Sequence, residues 1–178
     1  MIMKQRSATI ALLIFGAALL RIVPHPWNVS PVAAMALFAG SLYRRSWLAF
    51  LVPVAALLAS DAVLGFYREM PIVYASFAAI VLIGRLVQRT QPLSIAGGAI
   101  AGSVLFFVVT NFEVWLFDGL YPHTASGLGT CYIAAIPFFR NTLLGDLAYA
   151  ASFFGLFAAA EGLFPSLREP SSTMPLSA

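Results

Sequence analysis

The chain has 178 residues, 61% of them hydrophobic and only 10% charged, with a mean hydropathy of +0.90. A soluble domain carries about a quarter charged residues, so the composition excludes one and indicates an integral membrane protein. The net charge of +3 reads as basic punctuation of loops rather than a nucleic-acid surface, and the lone Cys131 excludes an internal disulfide or a multi-cysteine metal site.

Runs of Leu, Ala, Phe and Val without regular polar alternation argue for helices rather than barrel strands. The expected fold is all-α: a polytopic membrane protein built as a six-helix transmembrane bundle, one domain over residues 1–169. The Ser/Pro-rich tail at 170–178 is expected to be disordered. Span one covers residues 7–23. Lys4 and Arg6 before it resemble the start of a signal peptide, but no small-x-small cleavage site follows, so the stretch reads as a retained span. A signal anchor is the alternative.

Span two covers residues 31–43 and reaches only about 20 Å, too short to cross a bilayer alone. The charge pattern nevertheless requires it to cross. With six spans and the N-terminus inside, Lys4, Arg6, Arg44, Arg45, Arg85, Arg89 and Arg168 fall inside, and Arg21, Arg68 and Arg140 fall outside. That distribution follows the positive-inside rule and collapses with five spans. Both termini are therefore expected in the cytoplasm. A short span two must begin below the outer surface, so the segment 24–30, Pro-His-Pro-Trp-Asn-Val-Ser, is expected to dip into the membrane. Its prolines forbid regular helix. Non-helical backbone at that depth survives only under protein cover or beside a watery cavity. Ser30 is expected to cap span two ahead of Pro31, aiming free N–H groups at the cavity.

Spans three to six cover residues 46–66, 71–87, 93–117 and 137–164. Spans one, three, five and six each place a polar residue deep in an apolar run. Arg21 is about 22 Å along the helix from Arg6, and Asp61 about 22 Å from Ser46. Asn111 is about 28 Å from Pro92, and Asp146 about 27 Å from Phe164. Against a hydrocarbon core of about 30 Å, all four approach the face opposite the arginine-rich one. Buried polar groups at one level on four helices point to one outward-opening site.

The faces refine the candidates. Asn111, Trp115 and Asp118 share one side of span five; Glu113 points away and is expected to pair with an arginine or snorkel. Thr142, Asp146 and Tyr149 share one side of span six, with Arg140 nearby as an interfacial anchor or a counter-charge for a ligand. Asp146 reads as a structural partner of Arg21 or a ligand group. Asp61 reads as a local partner of Ser60 or Arg68, or a ligand group. Small-residue stripes, Ser94-Gly98-Gly102 and Ala151-Gly155-Ala159, are expected to pack helices. Residues 118–136 read as a long loop carrying Tyr121, His123 and Tyr132. His25 and His123 alone are weak evidence for a metal. Neither a metal nor another cofactor is expected.

The segment Arg21-Ile-Val-Pro-His-Pro-Trp-Asn-Val-Ser-Pro-Val-Ala-Ala-Met-Ala-Leu-Phe-Ala-Gly resembles the signature of an uncharacterised bacterial integral-membrane family. Phe106-Phe-Val-Val-Thr-Asn-Phe-Glu-Val-Trp, Gly127-Leu-Gly-Thr-Cys-Tyr and Ile136-Pro-Phe-Phe-Arg-Asn-Thr resemble the same family. In size, span number and inner termini the chain also resembles the substrate-binding S components of energy-coupling-factor vitamin transporters. That second resemblance implies a small vitamin-like ligand bound near the outer face and a transmembrane coupling subunit as partner. Only Ser7 and Ala11 approximate the Ala-x-x-x-Ala docking motif of such proteins.

Three functions follow as expectations. The first is a substrate-binding subunit of a transporter in the bacterial inner membrane. Arg21, Trp27, Asn28, Asp61, Asn111, Trp115, Tyr121, Arg140 and Asp146 would contact its ligand, with Tyr132 a further stacking aromatic. The second is a structural or assembly subunit, its buried polar residues fixing helix register. The third is a membrane enzyme acting on a lipid, ranked lower because no nucleophile, base or metal cluster is recognisable.

Overall fold

A computed structural model describes residues 2–24, 27–43 and 45–168. His25 and Pro26 of the expected dipping segment, Arg44, the Lys4 side chain and the tail lie outside the described residues. The order is α1 (Ile2–Leu20), α2 (Val32–Leu42), α3 (Ser46–Leu64), α4 (Met70–Leu86), α5 (Pro92–Phe117) and α6 (Ala125–Leu163), then a 3-10 turn over Pro165–Leu167. Among the described residues there is no strand. Three helices, α3, α5 and α6, are long and apolar enough to cross a membrane, whereas α1, α2 and α4 contribute apolar stretches below 18 residues. Outward-facing Leu12, Leu19, Val63, Leu86 and Leu163 are exposed. So apolar an exterior is what a bilayer covers and water does not.

The short α2 is the centre of the molecule. Nine of its eleven residues are buried, and it packs against each of the other five helices. A helix that is apolar all round belongs in a core. The tightest crossing is with α4, where a side chain on Gly40 would collide with the backbone oxygen of Val81, and one on Gly84 with that of Leu37. Two facing glycines bring the backbones together, as small residues do between membrane helices. Phe38 of α2 anchors the other side, edge-on to Phe154 and Phe157 of α6 at 5.3 and 5.7 Å.

The expected stripe on α5 does pack within the chain, since Gly98 meets Val87 and Leu37 and Gly102 meets Ile80. The stripe on α6 does not. Ala151, Gly155 and Ala159 are exposed, because α6 turns Phe153, Phe154 and Phe157 inward instead.

Residues 118–136 are not one long loop. The connection ends at Thr124, whose side chain accepts a hydrogen bond from Gly127 N at 3.1 Å and caps α6. α6 then runs 39 residues through Pro137, about 58 Å and nearly twice the hydrocarbon core. Two glycines and a proline disguised it; each weakens an isolated helix. Its first turns are held on α5 instead. Tyr132 donates its hydroxyl to Val108 O at 2.7 Å, and Cys131 its thiol to Asn111 O at 3.4 Å. Neighbouring helices let a membrane helix absorb a proline.

The basic residues are not only loop punctuation. Arg6 is buried within α1, donating to Leu167 O at 3.1 Å and Leu42 O at 3.0 Å. It stands over the Phe157 ring at 5.6 Å. Glu161 pairs with Arg89 at 2.7 Å and, more loosely, with Arg6 at 3.9 Å. Arg85 donates to Tyr43 O at 2.8 Å and to the Ser46 hydroxyl. Arg21, at the other end of α1, forms a separate cluster.

Candidate functional site

Two of the four polar residues expected at one level, Arg21 and Asp61, meet directly. Arg21 pairs with Asp61 at 2.8 Å and donates to the Ser60 hydroxyl. Tyr74 of α4 donates to the second Asp61 oxygen at 2.8 Å. Asp61 has no exposed surface. Its partners join α1, α3 and α4, so the carboxylate acts as a junction between helices. Arg21 therefore pairs with Asp61 and not with Asp146, and Asp61 reaches beyond the local partners Ser60 and Arg68.

Beside this junction lies a cleft of about 410 Å³, bounded by the end of α1, the start of α2, and parts of α4, α5 and α6. Arg21, Asn28, Asn111 and Asp146 line it. So do Ser30, Thr110 and Thr142, with an aromatic wall that includes Phe77, Phe106, Phe107, Phe138 and Phe139. Phe77 and Phe106 stack at 5.5 Å, which fixes the orientation of that wall. Tyr67 of the α3–α4 connection reaches the same space. Burial and the nearby Asp61 charge push its phenol up, and the Arg21 charge opposes them.

The segment 27–30 packs on α6 beside Asp146. Asn28 adopts a left-handed conformation, φ 60°, which asparagine tolerates better than most residues. Asn141 donates to Trp27 O at 3.3 Å. Val29 packs on Gly145, where an added Cβ would sit 3.1 Å from Val29 Cγ1. The missing side chain at 145 thus leaves room for this non-helical strand of chain. The cap of α2 differs from expectation: Pro31 holds the cap position, and no side chain bonds the free N–H groups. Val32 and Ala33, in that uncapped first turn, line the cleft.

Asp146 differs from Asp61. Its residue is 3% exposed, and the Ser103 hydroxyl donates to it at 2.6 Å. Among the described residues it makes no ion pair. A buried carboxyl group facing a cavity without a basic partner is costly in a membrane, and this usually marks a functional position.

Five expected site residues lie off the cleft. Trp27 is 83% exposed and points outward. Asp61 is sealed behind Arg21. Trp115 donates its indole N–H to Pro122 O at 2.9 Å and meets the His123 ring at 5.3 Å. It pins the α5–α6 connection, one turn beyond the cleft. Tyr121 and Arg140 are not part of the lining, and Arg140 is exposed. Tyr132 is engaged with Val108 and lies edge-on to Phe107 at 5.5 Å. The aromatic wall is the part the sequence reading missed. Its signal was present: Phe139, Thr142 and Asp146 fall at i, i+3 and i+7, and Phe107 and Asn111 at i and i+4.

A second, larger groove of about 600 Å³ runs between the start of α5 and the end of α6. Its walls are mostly apolar, with the Arg89–Glu161 pair at one edge. Its carboxylate, Glu161, is answered by Arg89 and Arg6, whereas Asp146 makes no ion pair among the described residues, so the cleft at Asp146 is the candidate site.

No curated protein and no solved structure matches the chain. A family model matches residues 1–167, and by it the chain belongs to DUF6580, a family of unknown function.

Proposed function

We propose that this protein is the small-molecule-binding subunit of a membrane transporter, of the kind the vitamin-transporter S components represent. In this reading all six helices cross the bacterial inner membrane, the short ones helped by tilt and by flanking segments. Both termini are cytoplasmic, the cleft opens to the outer face, and a transmembrane coupling subunit docks elsewhere on the bundle. The observation that carries the reading is Asp146, a buried carboxyl group without a basic partner on a cleft of about 410 Å³. That volume lies in the range of small-ligand sites. The lining suits a planar or heterocyclic solute. Phenylalanines would stack on its rings, Asp146 would take a donor group, and Asn111, Thr110 and Thr142 would orient it. The uncapped start of α2 offers N–H groups to an acceptor at the other edge.

The test is mass spectrometry of small molecules that co-purify with the protein, followed by thermal unfolding with and without the molecule found. Asp146→Asn keeps the shape and removes the charge. It should weaken binding at least tenfold, removing about 1.4 kcal/mol of ligand-induced stabilisation at saturation. Wild-type affinity in Asp146→Asn, or the same molecules recovered from a Phe107→Trp variant that fills the cleft, would refute the reading.

A further inference from the structure

The cleft beside Asp146 carries a net charge, and that charge limits what can fill it. Arg21 and Asp146 are the charged residues of its lining. Arg21 is already answered: it pairs with Asp61 at 2.8 Å and donates to the Ser60 hydroxyl. Asp146 is not. Ser103 donates to its Oδ2 at 2.6 Å. Among the described residues no hydrogen bond reaches its Oδ1, which is not sealed away from the cleft. The residue is 3% exposed. An ionised carboxylate so buried is costly unless a positive charge stands beside it.

The rest of the lining is what a flat cation would meet. Phe77 of α4, Phe106 and Phe107 of α5, and Phe138 and Phe139 of α6 border the cleft. Phe77 and Phe106 stack at 5.5 Å, and Phe107 lies 4.6 Å from Phe139. An aromatic face carries partial negative charge and attracts a cation within about 6 Å of its centroid. An anion gains nothing from such a wall and is repelled by Asp146. A neutral donor could bond Oδ1, but the carboxyl would then stay either protonated or uncompensated.

We propose that the ligand of this cleft is a flat monocation with N–H donors, such as an amidinium or a protonated aminoheterocycle. Its N–H groups meet Asp146 Oδ1 in a charge-assisted hydrogen bond, and its ring lies against the phenylalanines. The charge of the ligand does for Asp146 what Arg21 does for Asp61. This inference rests on the reading of the cleft as a ligand site and adds to it the sign of the ligand's charge.

The experiment titrates the purified full-length protein, in an uncharged maltoside detergent at constant ionic strength, with three probes of nearly one shape: benzamidinium, benzamide and benzoate. Calorimetry gives the affinity, and thermal unfolding gives the stabilisation. Saturable binding of one benzamidinium per chain is expected, at least about tenfold tighter than benzamide, because a charge-assisted hydrogen bond is roughly twice as strong as a neutral one. Benzoate should not bind. Asp146→Asn should abolish the preference, leaving benzamidinium no tighter than benzamide. Glu113→Gln removes a carboxylate outside the cleft lining and should leave all three affinities at wild-type values. The comparison among probes is made on the wild type, so it holds even where a variant fails to fold. Benzamide bound as tightly as benzamidinium, with both weakened by Asp146→Asn, overturns the cation and leaves the cleft reading in place. Benzamidinium bound as tightly to Asp146→Asn as to wild type, weakened by Glu113→Gln alone, or not bound saturably at all, overturns the proposal; recovery of a co-purified molecule still decides the transport reading.

Discussion

Replacing Asp61 by alanine separates a structural junction from a ligand site. The carboxylate is wholly buried and holds Arg21 at 2.8 Å and the Tyr74 hydroxyl at 2.8 Å. Its removal leaves two donors facing a void. An unpartnered buried hydroxyl costs about 1–3 kcal/mol, and a buried charge stripped of its partner about 3–5 kcal/mol. The Arg21 side chain is 14% exposed and borders the cleft, so it can turn toward water and recover part of that loss. The two costs share one cluster and are not additive. A net loss of about 3–4 kcal/mol follows, against about 1 kcal/mol for Tyr74→Phe, which removes one hydrogen bond. Arg21→Met with Asp61→Leu should regain much of the loss, since an apolar pair of similar size often replaces a buried ion pair at little cost. The assay is reversible unfolding in mixed detergent. Stability within about 0.5 kcal/mol of wild type for Asp61→Ala would sink the assignment, because changes of that size are typical of featureless surface positions.

Asn111→Ala should behave oppositely to Asp61→Ala. Its amide donates only to Phe107 O of its own helix, at 2.8 Å. Ligand-free stability should change by less than about 1 kcal/mol, while stabilisation by the cleft's ligand shrinks. Gly84→Val drives a side chain into the backbone of α2 and should cost about 3 kcal/mol or more in unfolding experiments, as severe overpacking does. Gly155→Ala, with nothing near its Cβ, should be neutral or stabilising by up to about 1 kcal/mol. A cysteine at Asn28 should react with small water-soluble reagents from the outer side, in a background lacking Cys131, and a cysteine at the sealed Ala56 should not. Equal inertness at both would mean that the cleft is closed to water. Reporter fusions at residue 45 and at the C-terminus should both read cytoplasmic; an outer signal at 45 would contradict the six-span topology.

The helix boundaries were legible wherever long apolar runs met proline or charge. α2 to α5 begin and end within two residues of the spans expected from sequence. The convergence of Arg21, Asn111 and Asp146 on one cleft, with Asp61 paired to Arg21 behind it, was legible too, because rise per residue is fixed and the arginine-rich ends supply a common origin. Pairing within that level was not. Choosing Asp61 over Asp146 for Arg21 depends on which helices are neighbours, and a depth count carries no lateral information. The start of α6 was hidden because Gly127, Gly129 and Pro137 each oppose helix locally, while the compensating contacts with α5 are tertiary. Trp115 was misplaced for a related reason. Sharing a face with Asn111 did not place it on the cleft, since one further turn of α5 carries it up to the α5–α6 connection.

The shortness of α2 explains why a cleft exists at all. A longer helix in its place would fill the bundle from end to end. An eleven-residue helix fills only part of it, and the remaining depth must be occupied by the irregular segment before it. Such backbone cannot satisfy its own polar groups and has to be covered or hydrated. Asn141 and Gly145 of α6 cover one side, by a hydrogen bond and by close packing. The other side borders the cleft, where the uncapped start of α2, Asn28 and Asp146 converge. A purely structural role accounts for Asp61, whose charge and hydrogen bonds are answered by Arg21 and Tyr74. It does not account for Asp146, which has one serine hydroxyl and no cation. Replacing Asp146 and Ser103 together by leucine and alanine tests that difference. A structural pair swapped for apolar groups of similar volume should leave stability near or above wild type. A ligand site should lose binding in the same protein while gaining stability, and a well-folded double variant that binds as wild type does would remove Asp146 from the site.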